Sequence, residues 1–209
     1  MKVLMINGST NECGTTHRAL EEVAKTLEGG GIESEIVALG SSPVWDCIGC
    51  NHCHAFGGGR CVFEDDMVND ILEKAADADG FIFASPVYYA QPTGQLLAVL
   101  HRLFYAGADL FAHKPGAAVV TLRRAGASAS LDAINKFFTD TCMPVVLSSY
   151  WNELHGPTAE FAEQDDEGLQ TLRNLGRNMV WMLKCIEAGK KLGVEVPQME
   201  RDAWTCFNR

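Results

Sequence analysis

Short apolar runs alternate along this chain with longer stretches whose apolar residues recur at three- and four-residue intervals. Lys2-Val-Leu-Met-Ile-Asn7 is almost continuously apolar, as expected of a strand buried on both faces of a parallel sheet. A helical pattern follows at 17–27, then a second strand at 33–39. Over 40–64 no periodicity holds, which predicts a loop. Met67, Val68, Ile71, Leu72 and Ala75 then form a stripe at helical spacing, with Asp65 or Asp66 placed to cap it. Gly80-Phe-Ile-Phe-Ala84 reads as a third buried strand, stopped by Ser85-Pro86, and 94–107 as a helix. A fourth strand is predicted at 116–122, a helix at 128–140 and a fifth strand at 144–150. Leu169, Leu172, Leu175, Met179, Met182 and Ile186 mark a long last helix. Strands alternating with helices predict an α/β fold, a doubly wound five-stranded parallel sheet over 1–188, followed by an arm at 189–209.

Composition changes this picture little. At 209 residues, with 47% hydrophobic and 21% charged residues, the chain is long enough to bury a core as one domain. A net charge of −10 argues against nucleic acid or an anionic membrane surface as a partner. No apolar run reaches membrane-spanning length, and no signal peptide is visible, so a cytoplasmic location is expected. The eight cysteines matter more, because four of them fall within 47–61. In a cytoplasmic chain such a cluster reads as metal or redox chemistry rather than a disulfide framework.

In a doubly wound sheet ligands bind beyond the carboxyl ends of the strands, so the loops after strands one, three and four are the ones to read. Loop one is Gly8-Ser-Thr-Asn-Glu-Cys-Gly-Thr-Thr16, with two glycines and four hydroxyls, running into a helix. Helix N-terminal amides and hydroxyls together cradle a phosphate; the plainer alternative is that Ser and Thr only cap the helix. The loop lacks the Gly-Lys-Ser/Thr ending of a nucleoside triphosphate loop and the three-glycine spacing of a dinucleotide fold. It suits a single phosphomonoester, such as that of FMN. Loop three, Ser85-Pro-Val-Tyr-Tyr-Ala-Gln-Pro-Thr-Gly94, brings two adjacent aromatics to where a flat ring system would lie. Loop four is Thr121-Leu-Arg-Arg-Ala-Gly126.

With Gly8-Ser-Thr and Thr15-Thr16, Ser85-Pro-Val-Tyr-Tyr89, and the cysteine run 47–61 before Asp65-Asp66-Met67, the chain resembles the flavodoxin-like NAD(P)H-dependent FMN reductases, in their iron–sulfur flavoprotein branch. The resemblance implies FMN, with Ser9, Asn11, Thr15 and Thr16 around its phosphate. It places Pro86, Val87, Tyr88, Tyr89 and Ala90 along the isoalloxazine, and Thr121, Arg123, Arg124 and Gly126 near its pyrimidine side. It also implies a homodimer or a dimer of dimers.

The cysteines, Cys47, Cys50, Cys53 and Cys61, are spaced C-x2-C-x2-C-x7-C within a loop at 44–64. Three thiolates at two-residue gaps can wrap one face of a four-iron four-sulfur cluster, and Gly57-Gly58-Gly59 lets the fourth arrive flexibly. Zinc, which usually takes two separated pairs, and four free thiols are the alternatives. Cys142 and Cys185 are expected to be small core residues, and Cys13 lies in the phosphate loop.

Loop three has no acidic residue, and loop four offers Arg123 and Arg124, which either stabilise reduced FMN or point to solvent. This pattern favours a reductase, with hydride passing from a nicotinamide to the flavin and then to a small acceptor such as a flavin or quinone. With a cluster present, electrons instead arrive singly from a ferredoxin-like donor. The alternative is a non-enzymatic electron-transfer protein. No acid–base residue is assigned. In the C-terminal arm, Val194, Val196, Trp204 and Phe207 either pack on their own subunit or dock on a neighbour.

Overall fold

The computed structural model describes residues 1–200, 202, 203 and 205. Five strands, β1 (Lys2–Asn7), β2 (Glu33–Ala38), β3 (Gly80–Pro86), β4 (Gly116–Leu122) and β5 (Glu153–His155), form one all-parallel sheet in the order β2-β1-β3-β4-β5. The chain starts in the centre and reverses direction across the sheet between β1 and β3, as a doubly wound sheet requires. Strand side chains alternate between faces. Val3, Met5, Ile82 and Ala84 therefore face α1 (Thr15–Gly29) and α7 (Asp166–Lys191). Leu4, Ile6, Phe81 and Phe83 face α3 (Val68–Ala76), α4 (Gly94–Phe111) and α5 (Ala127–Asp140). Both layers are buried, and each such Leu, Ile or Phe contributes about 1.5–3 kcal/mol of burial. Two short helices, α2 (His52–Ala55) in the cysteine loop and α6 (Ala159–Ala162), complete the fold.

The fifth strand is displaced from its predicted place. The segment at 144–150 touches the sheet only where Gly116 donates to the Pro144 carbonyl and Val146 donates back to Gly116, at 2.9 and 2.8 Å. Ser148 then turns the chain, its hydroxyl donating to the Tyr150 carbonyl at 2.7 Å, and Leu147 and Tyr150 are exposed. Pairing resumes when Val120 donates to Asn152 and the Asn152 amide donates to the Ala118 carbonyl, at 2.9 and 3.0 Å. An apolar run at a sheet edge has a partner on one side only, so hydrophobicity did not mark where the pairing sits.

Helix limits move for local reasons. Asp165 accepts from the Gly168 amide at 3.0 Å and so starts α7, which continues past residue 188 to Lys191. The helix predicted at 94–107 runs on to Phe111 through a kink at Gly107, where a β-carbon would lie 2.7 Å from Leu72. Asp66 accepts from the Val68 amide at 3.1 Å, as expected of a residue at the head of α3. Cys142 and Cys185, expected in the core, are exposed: Cys142 is in the turn beyond α5, and Cys185 is on a solvent-facing position of α7. In the arm, Val194 and Val196 are exposed while Met199 lies against Cys142, its sulfur accepting from the thiol at 3.5 Å. Trp204 and Phe207, expected to anchor the arm, lie outside the described residues. No described helix is long and apolar enough to cross a membrane.

The contact between α1 and α7 depends on Gly176, where a β-carbon would lie 2.7 Å from the Thr26 side chain. Gly176→Val should therefore lower stability by about 1–3 kcal/mol through overpacking, seen as a lower urea midpoint. Gly189→Ala, at a helical position with only ordinary contacts, should not lower the midpoint and should raise it slightly through helix propensity. Equal midpoints for both variants would show that the two helices are not in close contact there.

Candidate functional site

Loop one leaves β1 through Gly8, where a β-carbon would meet the Ala84 carbonyl at 2.8 Å, so the chain passes β3 at a distance only glycine allows. Side chains then hold the loop from inside. Asn7 accepts from the Ser9 amide at 3.0 Å, Ser9 from the Asn11 amide at 3.1 Å, and Asn11 from the Cys13 amide at 3.2 Å. The first helical bond of α1 is Arg18 to Gly14, and no side chain caps the helix. The amides of Thr15, Thr16 and His17 thus stand ahead of that bond, at the positive end of the helix dipole. No acidic residue lies in that first turn. The one carboxylate of the loop, Glu12, is turned toward Gly40. This is the arrangement a phosphate requires, and the donors present fit the phosphate of FMN.

Two of the expected phosphate donors are used differently. The Thr16 hydroxyl is buried and shares a 2.8 Å hydrogen bond with the Thr121 hydroxyl, while Thr15 donates to the Gly156 carbonyl at 3.2 Å. Their side chains tie the loop to β4 and to the segment after β5, which leaves the backbone amides as the outward donors. Thr121, expected beside the ring, bonds Thr16 through its hydroxyl. Sequence order gave no sign of this pair, because its members are separated by 105 positions.

Loops three and four meet at the same edge of the sheet. Tyr88 and Gln91 exchange backbone hydrogen bonds of 2.9 and 3.0 Å around a turn in which Tyr89 and Ala90 have φ of 49° and 59°. Positive φ at both central positions is the mirror-image turn usually built from Asn and Gly. Side chains there carry strain of the kind that gathers at ligand sites. Tyr89 is fully exposed at its tip, and Tyr88 and Ala90 are exposed beside it. Val87 is joined to the Thr121 carbonyl at 2.9 Å, and Pro86 pairs with Thr121 in the sheet. Gly126 has φ of 100°, and a β-carbon on it would lie 2.8 Å from Ala90 and 2.9 Å from Val87. Arg123 and Arg124 are exposed, and among the described residues neither enters an ion pair.

The cysteine loop is built on α3 and α4. Cys47, Cys50, Cys53 and Cys61 all line one small recess, together with Phe63 and Arg102. Asn69 clamps the end of the loop, accepting from the Cys61 amide at 2.8 Å and donating to the carbonyls of Cys61 and Phe63 at 3.1 Å. Arg102, 1% exposed, donates from Nε to the Cys61 sulfur at 3.1 Å and forms a two-pronged ion pair with Asp66. Burial alone lowers the Arg102 pKa, but its bonds to Asp66 and Cys61 outweigh that and hold it above the ordinary value. Burial pushes the Cys53 thiol up, and the neighbouring Cys61 and Cys47 add to it. Among the described residues, no three His, Cys, Asp or Glu side chains close to the spacing of a single metal ion. Four soft sulfurs around one recess, with a buried cation beside them, fit the donor set of an iron–sulfur cluster.

Sequence reasoning did not find Asn69 and Arg102. The available signal was position: Arg102 lies three residues after Val99 and four before Ala106, both buried, and Asn69 adjoins buried Val68. A larger cavity, about 1050 Å³, lies elsewhere, between α4 and α5, and reaches Cys47 and Met199. The helix α4 joins the two regions. Thr93 caps it, accepting from Leu96 at 3.2 Å and donating to the Gly8 carbonyl at 2.9 Å. Arg102 lies nine residues further, about 14 Å along the helix.

If the Thr16–Thr121 bond holds the cradle, Thr16→Val and Thr121→Val should each destabilise the protein by about 1–3 kcal/mol, since each leaves a buried hydroxyl without its partner. The double variant should lose less than the sum, because both hydroxyls are gone. Strict additivity in chemical denaturation would show that the pair does not interact.

Comparison with known proteins accords with this geometry. The family model described as NADPH-dependent FMN reductase matches residues 1–156. An iron–sulfur flavoprotein of Methanocaldococcus jannaschii is 34% identical over 195 residues, covering 90% of this chain and 100% of that protein. The iron–sulfur flavoprotein of Methanosarcina thermophila is 28% identical over 194 residues, covering 91% and 99%. A solved flavodoxin from the domain Archaea shares the fold with a TM-score of 0.59 at 16% identity, covering 88% of this chain and 99% of that one. The chain therefore belongs to the NADPH-dependent FMN reductase family, in its iron–sulfur flavoprotein branch.

Proposed function

We propose that this chain is an FMN-dependent oxidoreductase that takes electrons from NAD(P)H or a ferredoxin-like donor. It passes them through FMN to a small acceptor such as a flavin or quinone, with a four-iron four-sulfur cluster on Cys47, Cys50, Cys53 and Cys61. The observation that carries this reading is the meeting of loops one, three and four at one carboxyl edge of the sheet. There an uncapped helix N-terminus faces outward and a strained turn presents Tyr88 and Tyr89. The cluster is supported by the four sulfurs around one recess and by the names of the relatives, each called an iron–sulfur flavoprotein.

FMN, when bound, would supply the redox chemistry. The residues of this chain bind and orient it. The amides of Thr15 and Thr16, with Ser9 and Asn11, surround the phosphate. Pro86, Val87, Tyr88, Tyr89 and Ala90 would lie along the ring, and Gly126 lets loop four close against Val87 and Ala90. Arg123 and Arg124 bring positive charge to a site with no acidic residue in loop three or four, which favours the reduced, more negative flavin. No side chain is placed as a general acid or base.

Cofactor extracted from purified protein should be FMN, and finding FAD would overturn the one-phosphate reading of loop one. Steady-state quinone reduction should be measurable with NAD(P)H or with a reduced ferredoxin as donor; absence of turnover with both, with flavin bound, would make the chain a non-enzymatic carrier. Arg123→Gln should lower the two-electron potential of bound FMN, a tenfold change in the reduced-to-oxidised ratio being about 30 mV. A shift no larger than that of a distant control such as Lys184→Gln would return Arg123 to a solvent-facing role.

A further inference from the structure

We infer that Arg102 is a positioning residue for the iron–sulfur group: its N–H bond to the Cys61 sulfur raises the potential of the cluster. The inference rests on the reading of Cys47, Cys50, Cys53 and Cys61 as cluster ligands. Arg102 is 1% exposed on the inner face of α4, between Val99 and Ala106. A guanidinium in such a place is costly unless its donors are paired. Nη1 donates to the Trp45 carbonyl at 3.2 Å and to Asp66, and Nη2 to Asp66 at 3.1 Å and the Phe63 carbonyl at 3.4 Å. The Phe63 ring lies 5.1 Å from the guanidinium carbon. Trp45 and Phe63 belong to the loop that carries the cysteines, one on either side of them, and Asp66 follows it at the head of α3.

One donor, Nε, goes to a sulfur instead of an oxygen, 3.1 Å from Cys61. A neutral thiol is a weak acceptor, and a buried arginine spends a donor on it poorly. A sulfur carrying negative charge, as a ligand to iron does, is the acceptor that suits a guanidinium. Among the described residues none of the other three sulfurs receives a side-chain donor. Asp66 balances the arginine, so the net field at Cys61 is that of an oriented N–H donor beside a neutralised pair. Hydrogen bonds to cluster sulfurs favour the reduced, more negative state and raise the potential. Because Asp66 opposes the arginine, the two residues tune the cluster in opposite directions.

The opposite signs make the test. Full-length protein, reconstituted without oxygen using iron and sulfide, is titrated electrochemically and followed by electron paramagnetic resonance, with iron content measured in parallel. In Arg102→Gln the reduced-to-oxidised ratio at a fixed potential should fall about tenfold, which for one electron is about 59 mV downward. In Asp66→Asn it should rise. If Arg102→Gln does not fold, Arg102→Lys, which keeps the charge but has no Nε–H, decides: a downward shift at full iron content supports the bond, and an unchanged potential overturns it. Wild-type and variant clusters of equal potential, or shifts in the same direction, would overturn the role of Arg102 alone. Wild-type protein that takes up no iron would overturn the cluster reading and this inference together.

Discussion

A parallel sheet covered on both faces leaves polar chemistry one place to go, and the rest of this molecule follows from that constraint. Strands β1, β3 and β4 are buried along nearly their whole length, with helices above and below. Their side chains cannot carry charge without large cost. Only where the strands end do backbone amides and hydroxyls emerge, and there loops one, three and four meet. The reversal of strand order between β1 and β3 separates α1 and α4 and opens that edge.

What keeps the edge in shape is a small set of long-range polar contacts. Thr16 and Thr121 bond across 105 positions, Thr93 reaches the Gly8 carbonyl, and Val87 reaches the Thr121 carbonyl. Each is worth only about 1 kcal/mol in itself, but each is costly to break by halves because the partner is buried. The loops are thus rigid at their bases, while Tyr89 and the two arginines of loop four reach solvent.

The cysteine loop solves a different problem. It has little core of its own: Cys53 is its one buried cysteine, and Trp45, Ile48 and Phe56 are exposed. Its order comes from Arg102 and Asn69, one on each supporting helix, which satisfy its carbonyls and amides. A buried ion pair is a poor source of net stability but a firm constraint on geometry, since removing either partner strands the other. Glycines at positive φ, Gly49, Gly58 and Gly59, let the backbone turn between the cysteines.

Hydrophobic period and turn residues determined most of the fold from sequence alone. A buried strand such as Gly80–Pro86 and a striped helix such as Val68–Ala76 are each specified by residues next to one another. The C-x2-C-x2-C-x7-C spacing and the hydroxyl-rich loop were legible for the same reason, being local chemistry. The edge strand was not: Glu153–His155 is chosen by pairing with β4, and the more apolar stretch before it only begins that pairing. Thr16 and Thr121 were legible as site residues but their bond to each other was not, nor was Arg102, because a hydroxyl or a guanidinium acquires its role from whatever the folded chain places opposite it. Sequence determined which chemical groups this protein carries and in what local conformations. Tertiary structure decided which of them are spent on one another, since burial makes an unpaired polar group costly and partners far apart in the chain must then be found.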